Sequence, residues 1–99
     1  MLHIVNKSHT ERSALASCLR LALDGQSLLL TEDGIYAATT AAAEASGIAA
    51  AARRLKVYVL LPDAQARGMA ARLAPEVTGI DYAGFVDLVA GHTTSQSWL

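Results

Sequence analysis

Twice in this chain an uninterrupted apolar run leads straight into a short acidic turn that opens a helix. The first instance is Leu28-Leu29-Leu30-Thr31-Glu32-Asp33-Gly34-Ile35-Tyr36, the second Val57-Tyr58-Val59-Leu60-Leu61-Pro62-Asp63-Ala64. A strand with one wet face alternates apolar and polar residues, whereas a run that is apolar throughout suits a strand covered on both sides. Two-sided burial marks a parallel sheet under helices. The expected fold is therefore α/β: a three-layer domain with a mostly parallel sheet of four or five strands, helices on both faces and right-handed crossovers. Open sheets of this kind bind ligands beyond the carboxyl ends of their strands, so these two turns are the first place to look for a pocket. Neither turn carries a recognisable catalytic set.

The remaining elements follow from periodicity and punctuation. Leu2 to Val5 reads as a first strand. Ser8 stands three residues before Glu11, the spacing of a capping box, and predicts a helix from about Thr10 to Leu23. Its Leu15, Cys18, Leu19 and Ala22 form one apolar stripe, and Asp24-Gly25 ends it. A second strand, about Gln26 to Thr31, leads to a helix from Gly34 to Ala45 with Asp33 as N-cap. Ser46-Gly47 breaks that helix, and Ile48 to Arg54 forms a shorter one; the Ala-rich stretch from Ala37 to Ala52 is read as ordered. Lys56 to Leu61 is the third strand, stopped by Pro62, and Asp63 caps a helix to about Leu73. A fourth strand, Val77 to Ile80, precedes the Asp81-Tyr82 turn and a helix through Ala90 that Gly91 closes. The tail His92 to Leu99 is polar apart from Trp98-Leu99, which predicts an edge strand or a docked peptide.

Ninety-nine residues make one domain, residues 1–99, able to hide roughly two-thirds of its unfolded surface. Of its apolar residues 20 are alanines, so the 14 Leu, 6 Val and 4 Ile must build the core. A mean hydropathy of +0.31 on so small a chain leaves apolar side chains that one core does not hide, which favours a partner subunit. A net charge of −1 supplies no positive field for direct nucleic-acid binding. The one basic cluster, Arg53-Arg54-Lys56, reads better as cations at a helix C-terminus than as a phosphate contact. No apolar stretch approaches the roughly 18 residues that span a bilayer, and no basic flank with an apolar signal segment opens the chain, so a cytoplasmic location without membrane contact is expected. A single cysteine excludes an internal disulfide and fits a reducing compartment.

Cys18 is the main candidate for chemistry. A thiol becomes a good nucleophile when a helix N-terminus or a cation stabilises its thiolate. Cys18 lies past the middle of its helix, and its same-face neighbours Ala14, Leu15, Leu21 and Ala22 are uncharged. That helix should run antiparallel to the strands, which carries Cys18 towards their amino ends, away from the usual ligand edge. Two readings stand: a sulfur-carrying thiol, or a small apolar residue of core or interface. Glu32 and Asp33 are either an acid/base pair or residues that cap the following helix. His3, His9 and His92 are scattered without metal-ligand spacing, and no phosphate loop or nucleophile elbow is present, so neither metal nor cofactor is expected. Trp98 reads as a packed anchor, against its own sheet or across an interface.

Several fragments, in order along the chain, carry a resemblance: Met1-Leu2-His3, Leu28-Leu29-Leu30 with Glu32-Asp33-Gly34, Lys56-Val57-Tyr58, Ala66-Arg67-Gly68-Met69, Ile80-Asp81-Tyr82 with Phe85-Val86, and Gln96-Ser97-Trp98. Together they resemble the DsrH/TusB family of sulfur-relay proteins. The resemblance implies an α/β fold and the smallest subunit of a heterohexamer, two copies each of this chain and of DsrE-like and DsrF-like subunits. Such complexes pass persulfide sulfur from an upstream sulfurtransferase to a small DsrC/TusE-like carrier with a cysteine-bearing C-terminal arm. One branch of the family serves bacterial sulfur oxidation, the other 2-thiolation of the wobble uridine of certain tRNAs. The former typically carries a cysteine in the first helix, so Cys18 favours the DsrH-like, sulfur-oxidising branch, with a TusB-like subunit as the alternative. The resemblance places the principal catalytic cysteine on a larger partner, which leaves this chain as a sulfurtransferase subunit with Cys18 as a candidate persulfide carrier, or as a purely structural assembly subunit.

Overall fold

A computed structural model describes residues 1–99. Five strands form one wholly parallel sheet: β1 (Leu2–Val5), β2 (Ser27–Leu30), β3 (Lys56–Leu60), β4 (Thr78–Ile80) and β5 (Ser95–Trp98), in the order β4-β3-β2-β1-β5. Leu2 lies beside Ser27 and Ser95, and Val5 beside Leu30 and Trp98, so the tail is the expected edge strand. From β1 to β4 the chain steps one way across the sheet, and right-handed crossovers then place every connecting segment on one face. The last step returns to the far side of β1, which puts its helix on the opposite face.

The connecting segments are α1 (Ala14–Leu21), a 3₁₀ helix (Glu32–Ala38), α2 (Ala43–Ser46), α3 (Ile48–Ala51), α4 (Leu61–Ala66), a 3₁₀ turn (Ala70–Arg72) and α5 (Tyr82–Ala90). On the heavily covered face Val5, Leu28, Leu30, Val57 and Val59 pack against Leu15, Cys18, Ile35, Ile48 and a set of buried alanines. On the other face Leu2, Leu29 and Leu60 are buried, with Ile4, Tyr58, Ile80, Phe85 and Leu88 packed around them. Leu28 and Leu30 point one way and Leu29 the other, which is why that strand is apolar at every position. No helix is long and apolar enough to cross a membrane.

Four helices depart from expectation: the one expected from Ile48 to Arg54 ends at Ala51, and the other three change more. The capping box at Ser8 does not form: its hydroxyl bonds the Thr10 hydroxyl at 2.9 Å, its carbonyl accepts from the Glu11 and Arg12 amides, and α1 begins only at Ala14. The helix expected from Gly34 to Ala45 is a 3₁₀ segment with Asp33 inside it, followed by a turn. Gly34 is seated on the end of β1, where an added Cβ would fall 2.4 Å from the Val5 carbonyl oxygen, so only glycine fits. Beyond it, the Thr40 amide donates to Arg72 O and the Ala74 amide to Ala38 O, both at 2.8 Å. This antiparallel bridge at Thr39 and Leu73 takes backbone groups that a continuous helix from Gly34 to Ala45 would have used. The helix expected to reach Leu73 stops at Ala66 for a local reason: Gly68 is left-handed at φ +69°, and the Gly68 and Met69 amides turn back to Gln65 O and Ala64 O. The Ala-rich stretch is ordered: Ala37, Ala38, Ala43 and Ala51 are buried, and the Ser46 hydroxyl donates to Ala37 O at 2.7 Å.

Candidate functional site

The carboxyl edge of the sheet, where strand-turn-helix units of this kind usually open a pocket, is tied shut. Glu32 adopts a left-handed conformation with φ +48°, and its amide donates to Asp63 Oδ2 at 2.7 Å. Asp63 therefore bonds the turn of the other strand-turn-helix unit instead of capping its own helix. Arg67 joins the same two units, donating through Nε to Asp33 Oδ1 at 2.9 Å and through Nη1 to Asp63 O at 3.2 Å. The Asp33 bond raises the Arg67 guanidinium further above its already high ordinary value, so the cation is permanent. Glu32 and Asp33 thus form no acid/base pair, and Asp33 is no helix cap. A partly exposed pair of this kind contributes about 1 kcal/mol or less.

Cys18 lies at the opposite end of the fold. It is fully buried in α1 among the residues of the larger core. The one cation near it comes from a segment that local spacing does not connect with it. Arg54, just ahead of β3, reaches the C-terminus of α1, where its guanidinium donates to Leu19 O and, at 2.7 Å, to Ala22 O. These are last-turn carbonyls that the helix itself leaves unpaired. Arg54 also meets Asp24 Oδ1 at 3.4 Å. The basic cluster does serve a helix C-terminus, although of a different helix from the one that precedes it. Burial pushes the Cys18 thiol up to about 11, and the attraction of Arg54 for a thiolate offsets only part of that. At neutral pH Cys18 is a protonated thiol without access to solvent.

A cleft of about 500 Å³ opens elsewhere, lined by Thr39, Thr40, Ala41, Met69, Ala71 and Arg72. It holds no nucleophile and no carboxylate. The Thr39 hydroxyl donates to Tyr36 O at 2.9 Å and that of Thr40 to Arg72 O at 3.2 Å, so each has spent its one donor and could only accept from a ligand. His3 lies in β1, His9 in the loop after it and His92 just past α5, and no three His, Cys, Asp or Glu side chains gather as metal ligands. Trp98 packs against its own sheet and bonds His3, a contact between the two ends of the chain that no local spacing reveals.

Among the exposed residues several are large and apolar. Tyr82, Val86 and Val89 form an exposed stripe along α5, and Leu21 and Leu23 stand out at the end of α1. These residues offer apolar surface for packing.

A family model described as "DsrH like protein" matches residues 7–95. Protein TusB of Escherichia coli O81 (strain ED1a) is 35% identical over 100 residues, covering 99% of this chain and all of that relative. Protein TusB of Escherichia fergusonii is likewise 35% identical with the same coverage. The solution NMR structure of protein Tm0979 from Thermotoga maritima superposes with a TM-score of 0.61 over 93% of this chain and 94% of that one, at 24% identity, and so shares the fold. With a family model spanning most of its length and full-length relatives at this identity, the chain belongs to the DsrH/TusB family of sulfur-relay proteins.

Proposed function

We propose that this chain is a small subunit of a heteromeric sulfur-relay complex, completing a surface on which larger partners hold the reactive persulfide and deliver it to a small carrier protein. The burial of Cys18 carries this reading. A protonated thiol closed off from solvent attacks a persulfide slowly, whereas the apolar stripe of α5 and the end of α1 are open for packing. DsrE-like and DsrF-like subunits and a DsrC/TusE-like carrier are the partners that family membership suggests.

The TusB relatives support the branch that thiolates the wobble uridine of tRNA over the sulfur-oxidation branch expected from Cys18. Expressing the chain in a bacterium that lacks its own TusB and measuring 2-thiouridine in total tRNA by mass spectrometry tests this. Restoration both by the chain and by its Cys18→Ser variant supports the reading. Restoration by the wild type alone would give Cys18 a relay role. The sulfur-oxidation reading keeps one observation in its favour, the cysteine in the first helix. Failure to restore 2-thiouridine, together with co-purification with sulfur-oxidation subunits, would establish it instead.

A further inference from the structure

The two ends of the chain meet in a hydrogen-bond network whose every donor and acceptor can be assigned. The Trp98 indole Nε1 lies 3.1 Å from His3 Nδ1. An indole nitrogen only donates, so Nδ1 must accept and carries no hydrogen. The proton of the neutral ring is then on Nε2, which donates to Gln26 Oε1 at 2.7 Å. Gln26 Oε1 also accepts from the Leu23 amide at 2.9 Å, which fixes it as the carbonyl oxygen and confirms the tautomer from the other side. His3 is 3% exposed, so water has little room to replace either partner.

Trp98 is the side-chain anchor of β5. Ser95, Gln96 and Ser97 are exposed, and of this strand only Trp98 packs on the larger core. We propose that His3, Trp98 and Gln26 form a proton-sensitive latch, in which one proton on His3 frees the indole and loosens β5 from the edge of β1. The added proton goes to Nδ1, turning an acceptor into a donor that faces another donor, and it places a charge in a buried site.

Little nearby offsets that charge. β1, β2 and β5 carry no other titratable side chain. α1 contributes the protonated Cys18 and the exposed cation Arg20, and the turn after it contributes Asp24, already paired with Arg54. The His3 and Trp98 rings, 6.1 Å apart and tilted by 35°, lie at the outer limit of a cation–π attraction.

Trp98 is the one tryptophan of the chain, so its fluorescence reads the latch directly. On acidification the full chain should show a reversible one-proton red shift of emission. At the acid end, amide exchange at Ser95 to Trp98, corrected for its intrinsic pH dependence, should quicken about tenfold or more while β2 and β3 stay protected. The shift should vanish in His3→Gln and persist in His9→Gln and His92→Gln. If His3→Gln does not fold, the wild-type exchange pattern decides by itself. Exchange at β5 that is flat or slowed in acid, loosening shared by the whole sheet, or a shift that survives in His3→Gln would each overturn the latch.

Discussion

On one face of the sheet Val5, Leu28, Leu30, Val57 and Val59 disappear beneath α1, the 3₁₀ segment and α2 to α4; on the other, Leu2, Leu29 and Leu60 are met by α5 alone. The same strands feed both faces, so strand composition does not cause the difference. It comes from chain direction: three successive steps one way deposit three connections on one side, and the single return deposits one on the other. The covered face holds the molecule together. The thin face leaves Tyr82 59% and Val86 63% exposed on the outward side of α5, as suits a surface completed by another subunit.

Substitutions should separate the two faces. Leu28→Ala, at a fully buried position under α1 and its neighbours, should cost about 3 to 4 kcal/mol in denaturant unfolding. Phe85→Ala on α5 removes a larger side chain from a half-buried place and should cost less, about 2 kcal/mol. Equal losses would mean that the thin face is as tightly packed as the other.

Cys18→Ser, a hydroxyl in a dry site of the covered face, should cost about 1 to 2 kcal/mol at neutral pH while leaving assembly intact. The wild-type thiol adds a pH signature. Its folded value of about 11 stands above the ordinary 9.0, so the unfolded chain ionises first. Its contribution is complete below pH 9 and is lost as pH rises towards 11, and the serine variant should lack that part of the alkaline decline. The smallest effect on folding is expected on the outer side of α5. Val86→Ser and Val89→Ser should each change stability by about 0.5 kcal/mol or less, yet weaken co-elution with the larger subunits in size-exclusion chromatography. Unaltered co-elution would move the docking surface off α5.

Strand positions are legible in the residue order because two-sided apolar runs have few other uses: Leu28 to Leu30 and Val57 to Leu60 lie where periodicity places them. The end of α5 at Gly91 and the N-cap at Asp81, whose carboxylate accepts from the Gly84 amide at 2.8 Å, are also local events. Helix lengths are less legible. The bridge between Thr39 and Leu73 takes the chain after the 3₁₀ segment with hydrogen bonds from more than thirty residues away, which no local propensity registers, whereas α4 ends at the left-handed Gly68.

The site divides in the same way. Residue order alone determined that Cys18 sits late in an apolar stripe, far from a helix N-terminus, and that no metal or phosphate motif is present in the sequence. Tertiary structure alone decided that Arg54 would reach the end of α1, that Asp33, Asp63 and Arg67 would bind the two strand-turn-helix units into one closed edge, and that His3 would meet Trp98. The physical reason is range. Propensity, capping and periodicity act over a few residues and leave their marks in the sequence, whereas a hydrogen bond between distant segments depends on strand order, and strand order follows from the direction of each crossover.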